Sequence, residues 1–203
     1  MLRDVKVILT FGLLSPGKGV EYMIDVLPAM VREHPDVAYI VLGATHPAHR
    51  QDYEDWTAEV RILANKQIAH YHEFIPRGDA YYKLMAVCDL IVLPSTDETQ
   101  SDTLARIIAL YKPFVTTAPL AGLTAQALES GGGLLFTNKQ MLRANVIRLA
   151  CDEQLRIKLG ENVRRHLEEV VSWDVIARQY LQAYDLARTS LVTGVPVALE
   201  REL

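Results

Sequence analysis

The stretch Val5-Lys6-Val7-Ile8-Leu9-Thr10-Phe11-Gly12-Leu13-Leu14-Ser15-Pro16-Gly17-Lys18-Gly19-Val20-Glu21-Tyr22-Met23-Ile24 decides the fold. A short run of β-branched and aliphatic residues ends in a loop that holds Gly12, Gly17 and Gly19, and the loop passes into a segment of helical period. From Gly19 to His34 the apolar residues Val20, Met23, Ile24, Leu27, Met30 and Val31 recur at i, i+3, i+4 spacing, a stripe able to lie on a sheet. Pro28 within that stripe predicts a kink.

The same alternation continues along the chain. Strands are expected at Val5–Phe11, Val37–Leu42, Ile68–His72, Leu90–Leu93, Phe114–Thr117 and Gly133–Phe136. Further helices are expected at Tyr53–Asn65, Asp79–Val87, Asp102–Leu110, Leu123–Glu129, Lys139–Cys151, Glu153–Val170 and Trp173–Thr189. Strands alternating with helices predict stacked βαβ units. The expected fold class is therefore α/β, a Rossmann-like three-layer α/β/α arrangement around a six-stranded, mostly parallel sheet. The helices after Lys139 follow one another without a strand between them. One domain over residues 1–190 is expected, with a tail at 191–203.

Composition limits the function classes. The 203 residues are 50% hydrophobic and 23% charged, ordinary for a packed domain, with a formal net charge of -4. That charge gives no overall pull toward nucleic acid or anionic lipid. Cys88 and Cys151 are the only cysteines, too few for a disulfide framework, which points to a reducing, cytoplasmic setting. No apolar run approaches the ~18 residues of a membrane span. The six histidines lack ligand spacing of the HExxH kind, so no metal is expected.

In an open α/β sheet, ligands bind beyond the carboxyl ends of the strands. Three loops qualify. Gly12-Leu13-Leu14-Ser15-Pro16-Gly17-Lys18-Gly19 combines close-approach glycines, a helix start and a cation, a set suited to phosphate. It is neither a Walker A loop nor a GxGxxG fingerprint, and a turn with an exposed lysine accounts for the same residues. Pro94-Ser95-Thr96-Asp97-Glu98-Thr99-Gln100-Ser101-Asp102-Thr103 offers acceptors for sugar hydroxyls at Asp97 and Glu98, although capping alone explains Ser101 and Asp102, and a solvated acid explains Glu98. In Thr116–Gly122 and Gly131-Gly132-Gly133, glycine means either close ligand approach or tight turns. His46 and His49, in the loop after the second strand, read as turn histidines.

Taken in order, Phe11-Gly12 through Lys18-Gly19, Asp89-Leu90-Ile91-Val92-Leu93-Pro94-Ser95, Tyr111-Lys112-Pro113-Phe114-Val115, Gly133-Leu134-Leu135 and Ser172-Trp173-Asp174 with Ala177 and Tyr180 resemble the C-terminal, donor-binding domain of family 4 glycosyltransferases, one half of the GT-B fold. The resemblance runs from about Val5 to Leu186. It implies sugar transfer from a nucleotide-diphosphate sugar, with retention of configuration and without a metal or other cofactor. It also implies an N-terminal acceptor-binding domain, the other half, which a chain of this length does not hold.

The resemblance implies roles residue by residue. Lys18 matches the lysine of a basic pair that stabilises the diphosphate, while Leu13 stands in place of the arginine. Glu98 matches the first of two glutamates and becomes the expected catalytic residue, reading the donor sugar. Arg106 stands where the second, the ribose acceptor, is expected. Thr99-Gln100-Ser101 replace a glycine-rich turn, and Ala125 or Gln126 replaces a further acid. The expected donor-binding set is thus Gly12, Gly17, Lys18, Gly19, Glu98, Thr99, Gln100, Ser101 and Arg106, with Arg106 facing a phosphate or pairing with Asp102 one turn earlier. Two alternatives stand beside a donor-binding domain: a non-catalytic module whose site has eroded at Leu13, Arg106 and Ala125, and an epimerase-like half-domain using Asp97 and Asp102 near Glu98.

Overall fold

The computed structural model describes residues 5–45, 69–72, 78–97 and 101–194. The helix expected at Tyr53–Asn65, the histidines His46 and His49, and Glu98, Thr99 and Gln100 lie outside them.

Strands β1 (Lys6–Phe11), β2 (Val37–Leu42), β3 (Ala69–His72), β4 (Leu90–Leu93), β5 (Phe114–Thr117) and β6 (Gly133–Phe136) form one parallel sheet in the order β3-β2-β1-β4-β5-β6. Its helices are α1 (Val20–Glu33), α2 (Asp79–Val87), α3 (Asp102–Ala109), α4 (Ala121–Ser130), α5 (Lys139–Cys151), α6 (Glu153–Glu169) and α7 (Trp173–Thr193). The expected strands recur within a residue at each end. Helix α1 runs unbroken through Pro28, whose ring lies on the solvent side. Helix α4 begins two residues before the expected Leu123, and α7 continues past Thr189 to Thr193.

Both faces of the sheet are covered, and the pleat decides which residue goes where. Ile8, Leu90, Val92 and Val115 pack on one face with Met23, Leu27 and Met30 of α1 and Leu142, Val146 and Leu149 of α5. Their sequence neighbours Leu9, Ile91, Leu93 and Phe114 pack on the other with Met85 of α2, Leu104 and Ile107 of α3 and Leu123 of α4. This is the three-layer arrangement expected. The amino end of the sheet is pinned by Asp89, whose carboxylate accepts from Val7 N at 2.8 Å while its own amide donates to Val7 O at 2.9 Å.

A polar stitch crosses the buried centre. Tyr39 donates from its hydroxyl to Thr10 Oγ1 at 2.9 Å, and Thr10 donates onward to Val92 O at 2.9 Å. Full burial raises the Tyr39 pKa well above that of an ordinary phenol, the bond to Thr10 pulling it slightly back. Thr116 repeats the device one strand over, donating to Leu93 O at 3.1 Å.

The glycine triplet serves packing. Gly131 ends α4 in the left-handed conformation at φ 60°. A Cβ on Gly132 would meet Val163 of α6 at 1.8 Å, and one on Gly133 would meet the Phe114 ring at 2.2 Å.

The chain divides into two compact units, Met1–Arg164 and Arg165–Leu203. In the second, α7 starts from a Ser172 cap whose Oγ accepts from Val175 N. Trp173, Tyr180, Leu181, Tyr184, Leu191 and Val192 form an exposed apolar stripe along it. No described helix is long and apolar enough to cross a membrane.

The stitch predicts an asymmetry between two substitutions. Tyr39→Phe removes a donor while the Thr10 hydroxyl still donates to Val92 O, and should lower stability by about 1 kcal/mol. Thr10→Val strands the Tyr39 hydroxyl in the core and should lower it by about 1–3 kcal/mol. Urea unfolding of the two variants checks the order, and equal losses would contradict it.

Candidate functional site at the strand reversal

The strand order reverses between β1 and β4, so the loops leaving these strands turn to opposite sides and open a crevice at the carboxyl edge of the sheet. One wall is the loop after β1. Gly12, at φ 131°, donates to Leu42 O at 3.1 Å, and Leu14 donates to Ala44 O at 2.9 Å, so this loop is zipped onto the loop after β2. Leu14 is buried while Leu13 is half exposed. Pro16–Lys18 forms a 3-10 turn closed by Lys18 N to Ser15 O and Gly19 N to Pro16 O.

The second wall begins after β4, and a single carbonyl joins the two. Gly17 O accepts from Thr96 N at 2.8 Å and from Asp97 N at 3.4 Å. Gly19, left-handed at φ 60°, lies so close that a Cβ there would stand 2.0 Å from Pro94 O. The glycines are needed for this approach of loop to loop. The amides of Gly12, Lys18 and Gly19 donate to the carbonyls of Leu42, Ser15 and Pro16. The positive groups at this edge are the Lys18 ammonium and the amino-terminal end of α1. Lys18 itself is half-buried at the end of the turn, immediately before α1.

Helix α3 enters the crevice from the other side. Ser101 is buried, and its Oγ accepts from Leu104 N at 3.1 Å: it is the N-cap. Its amide donates to Gln126 Oε1 of α4 at 3.4 Å. Of the two positions weighed for the missing acid, Gln126 therefore reaches this loop, whereas Ala125 lies exposed. Arg106 donates to Asp102 Oδ2 at 2.6 Å and to the Tyr81 hydroxyl at 3.3 Å, with its guanidinium carbon 5.5 Å from the Tyr81 ring centroid. The bond to Tyr81 is the main cause of a raised Arg106 pKa, and burial raises that of Tyr81, so both keep their protons. The pairing with Asp102 was readable from spacing, unlike the partner Tyr81, 25 positions earlier.

A cleft of about 210 Å³ opens on the other side of the loop after β4, lined by Tyr22, Pro94, Thr96, Thr117, Leu120 and Phe136 among others. None of the described residues expected to bind donor lines it. Lys139 reaches over the Tyr22 ring at 5.2 Å and pairs with Asp25. Among the described residues no cluster of His, Cys, Asp and Glu fits a metal ion.

The family model described as "Glycosyl transferases group 1" matches residues 3–166. The chain belongs to this family. Among its curated relatives, the D-inositol 3-phosphate glycosyltransferase of Jonesia denitrificans is 27% identical over 192 residues, covering 91% of this chain and 44% of that protein. The solved C-terminal domain of a glycosyl transferase group 1 protein from Francisella tularensis superposes with a TM-score of 0.70 at 15% identity, over 83% of this chain and 87% of that domain. An Anabaena protein in complex with UDP superposes with a TM-score of 0.72 at 23% identity, over 91% of this chain and 49% of that one. These likenesses place the fold as one half of a GT-B glycosyltransferase. The chain spans between 40% and 50% of the length of the curated relatives it matches.

The loop clamp makes Gly19 the least replaceable glycosyltransferase-domain residue of this crevice. Gly19→Ala combines an unfavourable left-handed conformation with a collision against Pro94 O, and should cost about 2 kcal/mol or more. Ser101→Ala, which removes only the α3 cap, should cost about 1 kcal/mol. Denaturant midpoints of the two variants against the parent chain measure both.

Proposed function

We propose that this chain is the donor-binding half of a retaining, metal-independent glycosyltransferase that moves a sugar from a nucleoside-diphosphate sugar to an acceptor held by a second domain. The observation that carries the reading is the crevice at the β1/β4 reversal, where the Gly17 carbonyl clamps two loops and brings the starts of α1 and α3 to one edge. Cleavage of a glycosyl diphosphate places negative charge on the leaving group, and helix starts together with Lys18 stabilise charge of that sign. In this reading Lys18 holds the diphosphate and Glu98 reads the donor sugar. Family membership and the UDP bound in the similar Anabaena structure support uridine diphosphate as the first ligand to try, with guanosine diphosphate as the comparison.

The acceptor domain is the other part of the reading. The curated relatives are about twice as long as this chain, and α7 presents Trp173, Tyr180 and Tyr184 to solvent. A second α/β domain is the occupant that would cover that stripe. Both cysteines are unpaired, in keeping with the cytoplasm as the compartment.

Calorimetric titration of the 203-residue chain with UDP, GDP and UDP-glucose tests the donor site. Saturable binding is expected, with Lys18→Ala about tenfold weaker, the size of one lost charge-assisted contact. Absence of binding at about 1 mM ligand would remove the reading and leave the eroded, non-catalytic module.

A further inference from the structure

The cleft on the other side of the loop after β4 plays no part in the donor reading, and the alternation of the sheet builds it. Val92 of β4, Val115 of β5 and Leu134 of β6 face the layer of α1 and α5. Two residues further on, Pro94, Thr117 and Phe136 keep to that face and line the cleft, and Tyr22 of α1 adds a second aromatic wall. The Tyr22 and Phe136 rings lie 6.5 Å apart between centroids with their planes 50° from parallel. Lys139 Nζ stands 5.2 Å from the Tyr22 centroid and pairs with Asp25, which braces that ring. Three hydroxyls complete the lining, each with bonding capacity to spare. Thr117 is 7% exposed, and its hydroxyl makes no hydrogen bond to a described residue. Thr96 Oγ1 reaches Pro16 O only at 3.5 Å, and Thr137 Oγ1 lies 3.7 Å from the Met141 thioether, a weak acceptor. None of the described lining side chains is charged.

Size and charge narrow the occupant. At about 210 Å³ the cleft is smaller than the roughly 300–1,000 Å³ of sites for drug-sized ligands, so it has room for one ring and not for a nucleoside diphosphate. An uncharged lining disfavours phosphates and carboxylates, which would lose water there without gaining a partner. A pyranose offers what this surface can use: a face of C–H groups that packs on an aromatic ring, and a rim of hydroxyls that both donate and accept. We propose that the cleft is a binding subsite for one neutral pyranose ring, with Tyr22 and Phe136 against its C–H face and the Thr96, Thr117 and Thr137 hydroxyls on its rim. The tilt of the two aromatic rings favours a puckered sugar over a planar base, because tilted rings cup a ligand where parallel ones would sandwich it. Thr96 ties the subsite to the neighbouring crevice: its amide donates to Gly17 O while its side chain lines the cleft.

Saturation-transfer NMR on the 203-residue chain tests the subsite, with the methyl α-pyranosides of glucose, galactose and mannose as probes at about 5 mM each. Transfer to the ring protons of at least one glycoside is expected. Thr117→Val keeps the outline of the side chain and removes a hydroxyl that holds no protein bond, so it should leave the urea midpoint unlowered and weaken that glycoside about three- to tenfold. Tyr22→Ala should abolish the transfer and Tyr22→Phe should retain it, with circular dichroism verifying that each variant folds. Absence of transfer to all three glycosides overturns the assignment, as does an affinity unchanged by either Thr117→Val or Tyr22→Ala. Displacement of the glycoside by an equal concentration of uridine overturns it too, since the cleft then seats a nucleoside. A chain that binds a glycoside here and ignores UDP keeps this subsite and loses the donor-site reading, so the two fail separately.

Discussion

One carbonyl organises the carboxyl edge of the sheet. Gly17 O receives the amides of Thr96 and Asp97, and through it the segment that leaves β1 and the segment that leaves β4 become one wall. Parallel strands alone would leave these segments as separate loops, because at the reversal they turn toward opposite layers. The clamp works only if the backbones approach closely. Gly19 grants that approach, its missing Cβ leaving the space where Pro94 O lies. The position of Lys18 and the direction of α1 follow from this contact.

Most strands were legible because they are short aliphatic runs bounded by turn residues, β4 and β5 buried on both faces, a pattern that depends on local sequence only. Leu90–Leu93, Phe114–Thr117 and Gly133–Phe136 have the expected bounds, and Val5 drops out of β1 where its side chain reaches solvent. Helix ends were less legible where no side chain marks them. Leu120 caps α4 without a polar group, so nothing in the sequence announces a helix starting at Ala121. Ser101 before Asp102 and Asn138 before Lys139 do announce theirs, and both serve as caps.

The site was legible in part, for the same reason. The Asp102–Arg106 pair follows from helical spacing, and the importance of Gly12, Gly17 and Gly19 follows from their density in one loop. The physical role of those glycines did not follow. A glycine cluster signals close approach without saying what approaches, and here it is the neighbouring backbone at Pro94 and Leu42. The contacts of Arg106 with Tyr81 and of Ser101 with Gln126 join residues 25 positions apart on different helices, so only the fold brings them together.

What keeps Tyr81 and Arg106 in register is a turn that the sequence marks only as a motif. After α3, Tyr111 adopts a left-handed conformation at φ 56°, unusual for a residue with a side chain, and the strained turn carries Lys112 back toward α2. There Lys112 Nζ donates to Ala86 O at 2.5 Å and Cys88 O at 2.8 Å, closing the carbonyl end of α2, where a cation is electrostatically favoured. Burial lowers the Lys112 pKa and pushes the Cys88 thiol up to about 11, so the thiol stays protonated. The end of α3 is thereby fastened to the end of α2, and the faces that carry Arg106 and Tyr81 are fixed relative to each other. A guanidinium so placed cannot drift with its own helix alone. The strain at Tyr111 and the desolvation of Lys112 are costs of holding that cation against Tyr81.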